Sequence, residues 1–306
     1  MKLAIRLAII LSLFTACSLR ADSFIEPEIF LDQKIEVFGL AGIPWESEYS
    51  HDEERSRAWM DALHHAYEKV LSLPLMEGKL VRHVMQANAA LKERLGLVLM
   101  SAPKYFQQAD TSGLIRCRVE LPLTGKLSVR SALYLAAMRP QPLQPVSFLA
   151  SWSAGLHVDE KAPAPDFKRI IIDVRSSLFE PSLFPRFFDQ NGMLIFQESM
   201  VPSGERFSRP AIRFESDIRK ARAELEENYV MTAAAHVNEL SVRDIIIEHT
   251  DVDVFARFCR ELARNPLQER EIVVVFNPGP AKARGRLGKT EAKVETEEKT
   301  KTPAVK

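Results

Sequence analysis

The chain has 306 residues, 46% of them hydrophobic and 27% charged, which is enough apolar material for a sizeable core and excludes wholesale disorder. Basic and acidic residues balance at 41 each. Near-neutral charge gives no global electrostatic reason to bind nucleic acid, and none is expected as a partner.

The start reads as a leader. Lys2 and Arg6 precede the apolar stretch Leu7–Phe14, and small residues follow up to Ala21. That stretch is far shorter than the roughly 20 residues that cross a bilayer, so residues 1–21 are expected to be a cleaved signal peptide and the mature chain to reside in the periplasm. Lys2, Arg6 and Arg20 leave with it and no acid does, so the mature chain carries 38 basic against 41 acidic residues. Leu13-Phe14-Thr15-Ala16-Cys17 is similar to a bacterial lipobox, which makes Cys17 a candidate lipid-attachment residue and the outer membrane a candidate destination. Ordinary cleavage near Ala21, with Cys17 discarded, is the alternative.

Residues 22–138 are expected to form a helix-plus-strand domain. A strand is predicted at Lys34–Phe38, ended by Gly39 and Gly42. Ser50-His51-Asp52-Glu53 has the pattern of a capping box and opens a helix whose apolar face carries Trp59, Ala62, Leu63, Ala66 and Val70. A second helix is predicted over Glu77–Leu97, then strands at Gly113–Leu121 and Lys126–Tyr134. Prolines 140, 142, 145, 163 and 165 mark residues 139–166 as a linker.

Residues 167–277 are expected to form a mixed-sheet domain. Arg169–Val174 reads as a strand buried on both faces. Asp189-Gln190-Asn191-Gly192 joins Leu183–Phe188 to Met193–Phe196 as a hairpin. A helix over Glu215–Glu227, strands at Tyr229–His236 and Asp244–Glu248, a helix over Asp251–Ala263 with Asp251 as N-cap, and a strand at Glu271–Phe276 complete it. The fold class is α+β: a helix-plus-strand unit, then a mixed β-sheet domain with a hairpin and two packed helices. Residues 278–306 are charged, without an aromatic, and are expected to be a solvated, disordered tail; its alternative role is an electrostatic arm.

Three groups of residues are candidates for chemistry. His64 and His65 are adjacent on a helix, so they diverge by about 100° and read as a solvated face rather than a metal pair. Cys117 and Cys259 both fall on apolar faces and read as small core residues, with nothing to place them near each other. Asp173 ends a buried strand and Arg175 follows it. That position can line a pocket in a hydrolase or small-ligand binder, or simply hold a structural ion pair. No nucleophile elbow, metal-binding His-Glu-x-x-His, phosphate loop or dinucleotide fingerprint occurs. No catalytic, cofactor-binding or metal-ligating residue is therefore assigned, and no cofactor is expected.

In order, Arg169–Val174, the run Leu183–Gly192, and Asp244–Glu248 followed by a helix and Glu271–Phe276 resemble the FlgP/FlgT-type bacterial envelope proteins with a "lipoprotein twenty" domain. Ser176 stands where that group carries glycine. The resemblance implies a non-enzymatic envelope role through protein–protein contacts with other envelope proteins, in outer-membrane or flagellar assembly. It transfers no catalytic residue and leaves the oligomeric state open.

Overall fold

A computed structural model of the chain describes residues 26–42, 51–76, 78–86, 88–108, 114–138, 162–163, 165–201, 210–223, 225–226, 229–238, 241–265 and 269–279. Cys17, Ser50 of the capping box, most of the proline-rich segment and the tail from 280 onward lie outside them.

A short helix α1 (Pro27–Leu31) leads into β1 (Lys34–Ala41). Strand β1 runs through Gly39 rather than ending there, because Gly39 is where helix α2 (His51–Ser72) lies closest. A Cβ on Gly39 would stand 2.2 Å from the Ala58 carbonyl oxygen and 2.2 Å from the Ala62 amide nitrogen. Ala58, Ala62 and Ala66 are fully buried in this contact, so small residues on both partners set the distance of helix from sheet.

The helix predicted over Glu77–Leu97 is broken. Strands β2 (Pro74–Met76) and β3 (Lys79–Leu80) form a small ribbon turning at Gly78, whose φ is +62°, a value glycine adopts without strain. Helix α3 (Val81–Met85) follows. Asn88 then caps α4 (Ala89–Ser101), its side chain accepting from the Ala90 amide. Strands β4 (Lys104–Gln108) and β5 (Ile115–Pro122) complete a three-stranded antiparallel sheet in the order β1-β5-β4.

Lys126–Tyr134 is not a strand: helix α5 (Val129–Met138) occupies its second half. The alternation of Leu127 and Val129 suggests β structure, but Val129, Ala132 and Leu133 are buried at helical spacing. Ser128 and Ser131 cap the start reciprocally, each hydroxyl accepting from the other's backbone amide at 3.0–3.2 Å.

The second half is one seven-stranded sheet in the order β8-β7-β11-β10-β6-β12-β9. Its strands are β6 (Arg169–Asp173), β7 (Arg186–Phe188), β8 (Leu194–Gln197), β9 (Ile212–Glu215), β10 (Val230–Asn238), β11 (Ser241–Ile247) and β12 (Glu271–Val275). Strands β10, β6, β12 and β9 run parallel; β11 is antiparallel to β10, and β7 is parallel to β11. The α+β class is therefore as expected, and Ile170, Ile171 and Ile172 of β6 are buried on both faces. The hairpin forms where Asn-Gly predicts it: Asp189 Oδ1 accepts from the Asn191 and Met193 amides (2.9 and 2.7 Å), and Gly192 takes φ +78°.

The helix expected over Glu215–Glu227 shrinks to α6 (Ile218–Arg222), because Ile212–Glu215 has been taken as an edge strand beside β12. Helix α7 (His249–Arg264) begins before Asp251, with Glu248 at its N-cap position. The Asp251 carboxylate instead accepts from the Ala234 amide of β10 at 2.7 Å.

Residues of both halves pack into one hydrophobic core. Phe30 of α1 meets Phe214 of β9 edge-on at 5.7 Å, and Tyr134 of α5 meets Phe184 at 6.3 Å. The Leu183 and Phe184 amides donate to the Pro74 and Leu75 carbonyls, each at 2.9 Å, so the backbone itself is stitched across. The opposite sheet face has a small second cluster, in which α6 covers Ile171, Val273 and Val275 through Ala221 and Ile218.

Replacing Gly39 by alanine should lower stability by about 2 kcal/mol or more, since backbone atoms cannot move aside. Gly96 lies within α4 with open space around its Cα, and alanine there should raise stability by about 0.5–1 kcal/mol. Urea unfolding of the two variants checks both signs.

Candidate functional site

The sequence candidate at the end of β6 resolves into an ion pair. Arg175 Nε and Nη2 donate to the two oxygens of Asp173 at 2.8 and 2.7 Å, and the Arg175 amide donates to Oδ1 at 3.2 Å. These bonds hold the Asp173 carboxyl below its ordinary value, partial burial opposing them, and the same contact raises the Arg175 guanidinium. Both oxygens are already engaged, and the clefts described below do not include this pair.

Those clefts lie where the two halves meet. One is lined by Thr124, Ser128, Arg130, Tyr134, Phe184 and Glu198 among others. A second shares Thr124 and Arg130 and reaches Gln33 and Ser182. Arg130 enters from α5; Glu198 enters from the 3-10 turn Glu198–Met200 that ends β8. Their side chains are ion-paired and nearly inaccessible, and Arg130 Nη1 also lies 3.5 Å from the Ile212 carbonyl. Burial pushes the Glu198 carboxyl above its ordinary value, against the pull of Arg130. The charged lining groups thus neutralise each other, and the Ser128 hydroxyl donates to the Gly125 carbonyl (2.7 Å). This arrangement joins two layers.

Other acids and bases are likewise engaged with each other. Arg186 and Asp244 pair across β7 and β11 at 2.9 and 2.6 Å. Arg169 bridges Glu271 of the neighbouring strand (2.6 Å) and the Ala221 carbonyl of α6 (2.6 Å). His236 Nδ1 and Gln190 Nε2 both meet Glu248, at 2.7 and 2.6 Å. Among the described residues, no group of three His, Cys, Asp or Glu side chains is placed to hold a metal ion.

His64 and His65 are both exposed, but His65 has a definite task. Its Nδ1 lies 2.8 Å from the Phe38 carbonyl, and Asp61, one helical turn earlier, accepts from the Leu40 amide at 2.9 Å. Carbonyls only accept, so His65 carries a proton on Nδ1. The two side chains occupy the outer edge of β1. Cys117 and Cys259 are buried free thiols, each pushed up by desolvation.

The pairs Arg130–Glu198 and Arg186–Asp244 escape sequence reasoning because their partners lie 68 and 58 positions apart. The one available signal is Arg130 itself, the lone charge in the largely apolar helix Val129–Met138.

A family model described as the second domain of Treponema pallidum Tp0624 matches residues 169–278, the stretch that supplies all seven strands of the large sheet. No significant match to a curated protein is found.

Arg130→Met should destabilise by about 3–5 kcal/mol by leaving the buried Glu198 carboxylate without its guanidinium counter-charge, whereas Arg130→Met with Glu198→Leu should recover most of that loss; thermal unfolding measures both. Asp173→Asn should cost about 1 kcal/mol or less at neutral pH. Because the Asp173 carboxyl titrates below its unfolded value, its stabilisation is present above roughly pH 4 and is lost as pH falls through the lower folded value. The difference in urea midpoint between the parent chain and the Asp173→Asn variant should therefore close in acid.

Proposed function

We propose that the chain is an exported, non-enzymatic cell-envelope protein that acts through protein–protein contacts. The observation that carries this reading is the leader: Lys2 and Arg6 followed by the short apolar stretch Leu7–Phe14 and a small-residue zone. The side-chain chemistry supports it. The acids and bases that could serve catalysis at Asp173, Arg130 and Asp244 are bonded to one another. A role in outer-membrane or flagellar assembly is what the resemblance to FlgP/FlgT-type proteins implies, and Cys17 is the residue on which a lipid would tether the chain.

Fractionation of cells making the full chain is the test. The protein should appear in the osmotic-shock or membrane fraction and resist protease until the outer membrane is opened. Recovery in the cytoplasmic fraction would overturn the proposal.

A further inference from the structure

The two edges of the small sheet β1-β5-β4 are treated differently. Along β1, Leu123 donates to the Gln33 carbonyl, which sets the odd-numbered residues toward β5 and the even-numbered ones outward. Two of those outward groups, the Phe38 carbonyl and the Leu40 amide, are taken by His65 and Asp61 of α2. Along β4, Glu120 donates to the Pro103 carbonyl, so the odd-numbered residues again face β5. The backbone groups of Lys104, Phe106 and Gln108 then point away from the sheet, with no strand or capping side chain on them among the described residues. Strand β4 carries no proline and pairs in unbroken register over five residues. Its one charged side chain, Lys104, is the kind that discourages pairing at an edge, but its ammonium lies over the Trp59 ring of α2 at 3.5 Å.

The solvent face beside this edge is both aromatic and cationic. Arg118 lies over Tyr105 at 4.6 Å, and Arg116 over Phe38 at 3.7 Å. Tyr105 is 43% and Leu40 55% exposed. The acids of this face, Glu36 and Glu120, gather at its far end around Lys34, each 3.6 Å from it. Glu120 also reaches Arg118 at 3.6 Å, and Asp61 sits on the Leu40 amide at the outer edge of β1, but among the described residues no carboxylate forms an ion pair with Arg116.

We propose that β4 is a strand-addition site for an extended acidic segment of a partner protein. The incoming backbone pairs with Lys104, Phe106 and Gln108. Alternate side chains of the added strand fall beside Tyr105 and Gln107, and their carboxylates are met by Arg118 and Arg116 one strand further in. The site rests on the reading of the chain as an interaction protein, not on its compartment.

The test is fluorescence anisotropy of the full mature chain with a short labelled peptide that alternates glutamate and valine. Two comparison peptides carry lysine for glutamate, or proline at the positions whose amides would pair. The acidic peptide should bind at least about tenfold more tightly than either, and less tightly as salt rises. Arg116→Glu with Arg118→Glu should reverse the preference toward the lysine peptide while leaving the thermal midpoint within a few degrees. That reversal separates a binding effect from a folding one. Equal binding of acidic and lysine peptides overturns the charge complementarity, and equal binding of the proline peptide overturns strand addition. If the acidic peptide fails while the chain is still recovered from the envelope, the β4 site falls and the interaction reading stands.

Discussion

The architecture depends on the contact between the helix-rich first half and one face of the seven-stranded sheet. Neither half closes its own core. Phe214 of the sheet side packs on Phe30 of α1, and Phe184 packs on Tyr134 of α5. Apolar burial supplies most of the attraction. The backbone bonds from Leu183 and Phe184 to Pro74 and Leu75, with the buried Arg130–Glu198 pair, fix how the layers register. Such a pair adds little net stability against an apolar replacement, but it strongly penalises arrangements that separate its partners.

That constraint explains where polar chemistry is found. Ion pairs hold layers and strands together: Arg169 ties two strands and a helix, Arg186–Asp244 ties β7 to β11, and at the surface Asp173–Arg175 closes the turn after β6. At the surface, the small sheet has its β1 edge capped by His65 and Asp61, while among the described residues no strand or side chain caps β4.

Much of the fold was legible because local patterns and tertiary demands agreed. The run Arg169–Val174, the Asn-Gly hairpin and the strand at Glu271–Phe276 are strands in a context that wants strands. Failures came where a short pattern had two readings. Leu127 and Val129 alternate, yet the serine caps and the wider spacing make α5; Gly78 and Asn88 punctuate what helical periodicity alone would join. The boundary at Glu215 moved because an edge strand claimed residues that a helix could also use. The functional features were less legible still. Asp173 and Arg175, two residues apart, could be named from sequence, but that both carboxylate oxygens bond the guanidinium required geometry. Sequence also cannot show that His65 guards an edge, because the strand it guards lies 27 positions away.

Hydrogen exchange on the native protein tests the shared core directly. Amides of β5 and of β6, deep in the two halves, should exchange through the same global opening, with equal free energies and equal dependence on denaturant. If the amides of one strand exchange through a separate opening while the other strand stays protected, the halves are independent bodies, and the role assigned to the Arg130–Glu198 contact is contradicted.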